Sequence, residues 1–267
     1  MLIAEPPRTQ YDVHFPVAGF DVRVTPLFWI AAAVLGYNAA VGNDRFFGEA
    51  SPGQGALLLI WILAVFISIL IHELGHALAM RYYGRGAYIV LYHFGGIAVS
   101  DSAGSSMQMG RSNRSENQIV ISAAGPGIQL LLAAAILLAV RLSGHSVPLG
   151  LLHLIGDPLE LTDGPQIASI PLLIFVSDML SVNILWAFMN LLPVYPLDGG
   201  QIARELLTMH SRDGVKNSLI LSVGVGIAAA AFGFMTNNLF LGIMFAMLAY
   251  SSYQVFQAYH GRGGGPW

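Results

Sequence analysis

The sequence predicts an all-α polytopic membrane protein, with about six transmembrane helices and a small membrane-associated β element. Three observations predict it. First, 55% of the 267 residues are hydrophobic and only 10% are charged, at a mean hydropathy of +0.64. An average soluble domain carries about 25% charged residues, so this chain has too few to coat a water-facing surface. Second, six stretches come close to or exceed the roughly 20 apolar residues that a spanning helix needs: 25–42, 55–83, 118–140, 170–192, 218–235 and 239–258. Third, the 12 Lys and Arg residues are distributed very unevenly between the two sides that those stretches define. The same composition excludes other classes. Disorder requires low hydrophobicity and high net charge, and a formal net charge of −3 offers no basic footprint for nucleic acid. The absence of cysteine removes disulfide scaffolds, thiolate zinc ligands and thiol nucleophiles.

The elements follow in order. Residues 1–16 hold acidic residues and prolines and no apolar h-region, so no cleavable signal peptide is expected and the first span inserts and stays. The second span is longer than a crossing needs and its final third carries His, Glu and Arg, so it is expected to emerge into an aqueous or protein-lined space. Residues 87–100 (AYIVLYHFGGIAVS) are β-branched and aromatic around Gly95-Gly96 and too short for a helical span. They read as strand–turn–strand, paired with residues 20–24 (FDVRV). Lipid-exposed sheet edges are forbidden, which places this element at the interface or within protein. Residues 104–115 form a polar connection, and the last four spans follow. With no internal repeat and no loop long enough for an appended domain, residues 1–267 read as one unit, its core at about 20–210 and its last two helices and tail at 211–267. Arg8, Arg23, Arg81, Arg85, Arg111, Arg114, Arg204, Arg212, Lys216 and Arg262 share one side, against Arg45 and Arg141 on the other. The positive-inside rule then puts both termini in the cytoplasm, as an even number of spans requires.

Near the cytoplasmic end of the second span stands His72-Glu73-Leu74-Gly75-His76. Histidines at i and i+4 share a helix face, so both imidazoles can reach one ion, with the glutamate between them placed as general base on a metal-bound water. Ionisable groups are costly in an apolar helix and tend to mark function there. A catalytic zinc site needs a third protein ligand and an open position. The best candidate is Asp198, in the run Asn190-Leu-Leu-Pro-Val-Tyr-Pro-Leu-Asp-Gly-Gly200, where two prolines stop the helix and an Asp-Gly-Gly turn lets a carboxylate project. Spans two and four exit on the same side, so His72, His76 and Asp198 can meet.

HELGH on a membrane helix followed by NLLPVYPLDGG on a later one resembles the site-2 protease family of intramembrane zinc metalloproteases, in a compact form without PDZ or CBS domain. The Ala124-Gly125-Pro126 turn and the Phe94-Gly95-Gly96 element look like family features too, so the match reaches from about residue 20 to 200. The resemblance implies that His72, His76 and Asp198 bind one Zn2+, that Glu73 is the general base, and that Asn190 holds substrate or stabilises the oxyanion. It implies cleavage of membrane-tethered substrate proteins in or near a transmembrane helix. Where many relatives have Asn after the AGP turn, this chain has Gln129, to which no catalytic role is assigned. A strand edge from 87–100 or 20–24, near Gly95 and Gly96, is expected either to clamp the unwound substrate in extended form by β-augmentation or merely to plug the protein near the zinc. The competing readings are a metal-binding membrane transporter or channel, which leaves Glu73 without a task, and an inactive helix-binding homologue, which the intact motif disfavours.

Other residues invite attention. Asp178 is an intramembrane carboxylate in span four, five residues before Asn183, and is either on a water path or hydrogen-bonded to a neighbouring helix. His93, beside the glycine pair, is a candidate for the substrate cleft. The absence of organellar targeting features points to a prokaryotic inner membrane, with the bilayer and a membrane-protein substrate as partners.

Overall fold

The structure, a computed structural model, describes residues 5–93, 95–101, 115–147, 161 and 163–261. Two short strands, β1 (Val13–Val17) and β2 (Phe20–Val24), precede helix α1 (Pro26–Phe47), and a single 3-10 turn at Gly48–Ala50 leads to α2 (Gln54–Tyr82). Strands β3 (Gly86–Tyr92) and β4 (Gly95–Asp101) follow, then α3 (Ser115–Leu142), α4 (Ile170–Asn190), α5 (Asp198–His210), α6 (Gly214–Met235) and α7 (Leu239–Gly261).

The four strands form one sheet in the order β1-β2-β3-β4. The expected pairing is present: β3 and β4 are antiparallel, and β2 lies parallel to β3 with Val22 opposite Ile89 and Val24 opposite Leu91. A parallel pair requires a crossover, and here α1 and α2 supply it. Phe28 and Ala32 of α1 share a core with Val65 and Ile69 of α2, while Ala40 clusters with Leu57, so the two helices run antiparallel and return the chain to its starting side. That core continues into the sheet through Phe20, Val22, Val24, Ile89 and Leu91. Arg81, at the end of α2, lies 4.2 Å over the Phe20 ring and donates to the Ala18 carbonyl at 2.9 Å, clamping α2 to the β1–β2 turn.

Among the described residues, five helices, α2, α3, α4, α6 and α7, are long and apolar enough to cross a membrane. The first expected span is also a helix, but the second half of α1 carries Tyr37, Asn38, Asn43, Asp44 and Arg45, which dilute its apolarity below the others. Two expected turns are helical instead. Ala124-Gly125-Pro126 lies inside α3, where Pro126 merely brings no N–H to the Ser122 carbonyl. Asp198-Gly199-Gly200 opens α5, so the carboxylate sits at a helix N-terminus, where the helix dipole favours its ionised form. Strand β1 and the amphipathic helix α5 were not expected. Arg23, counted among the charges that set orientation, is only 4% exposed and pairs with Glu5 at 2.8 Å and Asp12 at 3.0 Å. The polar connection expected at 104–115 lies outside the described residues except for Ser115, as does Phe94.

Candidate metal centre

His72 and His76 stand one turn apart on α2 and both are buried. Their rings meet edge to face at 4.7 Å, and the two Nε2 atoms are 3.0 Å apart. Each ring is held from behind by an acceptor on α3. His72 Nδ1 lies 2.9 Å from Gln129 Oε1, and His76 Nδ1 lies 2.7 Å from the Ile121 carbonyl. An acceptor on that side requires Nδ1 to carry the hydrogen, which leaves the Nε2 lone pairs directed at each other.

Asp198 completes the group from α5. Its Oδ2 lies 3.2 Å from His72 Nε2 and its Oδ1 3.3 Å from His76 Nε2. Oδ2 is buried without a hydrogen bond among the described residues. Two Nε2 lone pairs and an ionised carboxylate are a set of acceptors that needs a cation at its centre. Their separations match a tetrahedral zinc site, in which ligands about 2.0–2.1 Å from the metal lie about 3.3 Å from one another. Among the described residues, these three form a group with metal-ligand geometry, and one open position on a tetrahedral ion would remain for chemistry.

Two glycines make this convergence possible. A Cβ on Gly125 would strike His76 Nε2 and, at 2.9 Å, His72 Nε2, so only a bare backbone lets α3 lie against the histidine pair. Gly96 plays the matching part on the other side: a Cβ there would overlap the Glu73 side chain. Glu73 is 4% exposed and accepts a hydrogen bond from the Ala98 backbone N–H of β4. Strand β4 therefore lies directly over the glutamate. The histidines, Glu73, Asp198 and Asn190 all line one cavity of about 750 Å³, with Gly96, Ile97 and Ala98 along its strand side.

Of the residues singled out in the sequence, His72, Glu73, His76, Asp198, Asn190 and Gly96 come together at this cavity. The Asn190 amide donates to the Trp186 carbonyl one turn back on α4, at 3.0 Å. Gly95 faces the Trp186 indole instead of the cavity. His93 is exposed at the β3–β4 turn, edge-on to Tyr92, and it is Tyr92 that reaches the cavity wall. Asp178 is half-buried more than three turns before Asn190 on α4 and takes no part in the group. Sequence reasoning missed the Ile121 carbonyl, the Ala98 N–H and the contact from Gln129. A backbone group carries no signature in a sequence, whereas a glutamine in an apolar helix is a signal that was available.

The sequence matches the pattern of Peptidase family M50 across residues 60–232. It is 24% identical to zinc metalloprotease MJ0392 of Methanocaldococcus jannaschii, over 72% of this chain and 47% of that protein. It is 30% identical to sll0528 of Synechocystis, provisionally named a zinc metalloprotease, over 80% of this chain and 50% of that protein. With Rip3 of Mycobacterium tuberculosis, likewise named provisionally, it shares 29% identity over 66% of this chain and 35% of the relative. The chain thus spans half or less of the length of these relatives.

Proposed function

This chain belongs to peptidase family M50, the site-2 protease family, and on that premise we propose that it is a zinc metalloprotease that hydrolyses peptide bonds in or near transmembrane segments of membrane-tethered proteins. The observation that carries the proposal is the convergence of His72, His76 and Asp198 on one point, with Glu73 beside them in the same cavity. His72, His76 and Asp198 would hold a Zn2+ ion, which when bound would supply Lewis-acid chemistry at this point.

The chain's own groups do the rest. Glu73 takes the proton from the attacking water on a carboxylate oxygen and delivers it to the leaving amine. The Ala98 N–H fixes the other side of that carboxylate so that it stays aimed into the cavity. Asn190, which lines the same cavity, is the donor to the developing oxyanion once its amide turns from the Trp186 carbonyl. A helical substrate hides its peptide bonds in its own hydrogen bonds, so it must be held extended. Strand β4 is the sheet's last strand among the described residues and runs along the cavity, and this supports β-augmentation of the unwound segment. Both termini and the site face the cytoplasm of a prokaryotic inner membrane in this reading, following the Lys and Arg distribution.

Incubation of the purified full chain in detergent with a panel of membrane-tethered helical substrates tests the proposal. Cleavage by the wild type, its loss on zinc chelation and its return with added Zn2+ are expected. A protein that cleaves none of the panel with Zn2+ bound contradicts it.

A further inference from the structure

Behind the histidines lies a buried polar chain that the reaction does not use. Gln129 is completely buried in α3, one turn after Gly125. Its Oε1 meets His72 Nδ1 at 2.9 Å and its Nε2 donates to the Ser68 carbonyl of α2 at 3.2 Å. The Ser68 hydroxyl accepts from Asn183 Nδ2 of α4 at 2.9 Å, and the same amide donates to the Met179 carbonyl at 2.7 Å. Ser68 and Asn183 are also fully buried. Three helices are thus tied together by a polar chain that ends on a metal ligand. Burying these groups is costly unless each is paired, and an aliphatic side chain would fill the volume of Gln129 without that cost.

The geometry decides which end of the amide faces the histidine. Because Nε2 is committed to the Ser68 carbonyl, the oxygen faces Nδ1, so His72 carries its hydrogen there and keeps a lone pair on Nε2. His76 receives the same service from a backbone carbonyl, which no substitution removes. Resting on the zinc reading above, we propose that Gln129 is a positioning residue for the metal: it holds the His72 ring in the tautomer and orientation that bind Zn2+. Outer partners of this kind are typically worth about 10–100-fold in metal affinity.

Zn2+ affinity of the full chain in detergent, measured by competition with a chromophoric chelator, tests this independently of cleavage. Gln129→Met, which keeps the volume and removes the acceptor, should weaken binding by about 10–100-fold. Gln129→Glu, which as the neutral acid donates to the Ser68 carbonyl in place of Nε2 and keeps an oxygen toward Nδ1, should bind within about threefold of wild type. A purely packing role predicts the reverse order, with methionine harmless and the buried glutamate damaging, and that order overturns the proposal. If Gln129→Met does not fold, the glutamate variant decides alone: near-wild-type affinity supports the proposal and a large loss overturns it. Wild-type protein that takes up no Zn2+ overturns the zinc reading along with it. Wild type that loads Zn2+ while Gln129→Met keeps its affinity overturns only the role of Gln129.

Discussion

The two halves of the candidate metal centre are built differently. The histidine half belongs to α2, and both of its candidate ligands are braced from behind by α3, through Gln129 and the Ile121 carbonyl. The carboxylate half comes from α5, a 13-residue helix that starts after the α4 chain breaks at Leu191–Leu197, and one of its oxygens has no hydrogen bond among the described residues. The contrast teaches that the fold braces the histidines from behind, whereas Asp198 has an oxygen without such a partner and would gain the more from a bound cation.

The strongest test of that division is to remove a ligand from each half. His72→Ala should reduce Zn2+ from about one per chain to near zero, because three protein ligands are needed to hold a catalytic ion. Asp198→Asn should weaken binding as well while leaving α2 as protected as before, measured by metal analysis together with hydrogen exchange. Equal loss of protection in both halves would break the comparison. Next in size, Gly125→Ala drives a methyl into both Nε2 atoms and should destabilise the fold by about 1–3 kcal/mol, with weaker zinc binding. Gly127→Ala, two residues on and with open space around its added methyl, should stay within about 1 kcal/mol of wild type. Thermal unfolding of the two variants side by side reads the difference. The smallest effect concerns the metal-free protein: chelation should raise hydrogen exchange over residues 191–201 and leave residues 68–80 unchanged. Uniform exchange along both segments would count against a preformed histidine half.

Much of this site is visible in the sequence because its chemistry is local. The spacing of His72 and His76 fixes a shared helix face wherever α2 packs, and the Lys and Arg distribution already places Asp198 on the same side. The β-rich residues 87–100 were too short to cross and too apolar for a loop, so their hairpin and its pairing with residues 20–24 were also legible. What escaped depends on packing partners distant in the chain. Gln129 looked like an imperfect match to an asparagine, and its purpose emerges only when α3 is laid against His72. Prolines and glycines misled twice, at Gly125-Pro126 and at Asp198-Gly199-Gly200, because their local preference for turns yields to helix when the backbone must approach a neighbour closely. Strand β1 was hidden by its exposure: Val13, His14 and Pro16 face solvent, leaving little hydrophobic alternation to read. Helix α1 sits where the first span was expected, and its polar second half makes it less apolar than α2, α3, α4, α6 and α7.

The most direct measurement is of Glu73→Gln, a substitution that keeps shape and hydrogen bonding but removes the base. Cleavage of a membrane-tethered helical substrate and zinc content should be measured on the same purified sample. The account predicts a protein that still holds about one Zn2+ per chain and cleaves at least about 10²–10⁴-fold more slowly than wild type. A variant that holds its metal and cleaves at the wild-type rate would contradict it.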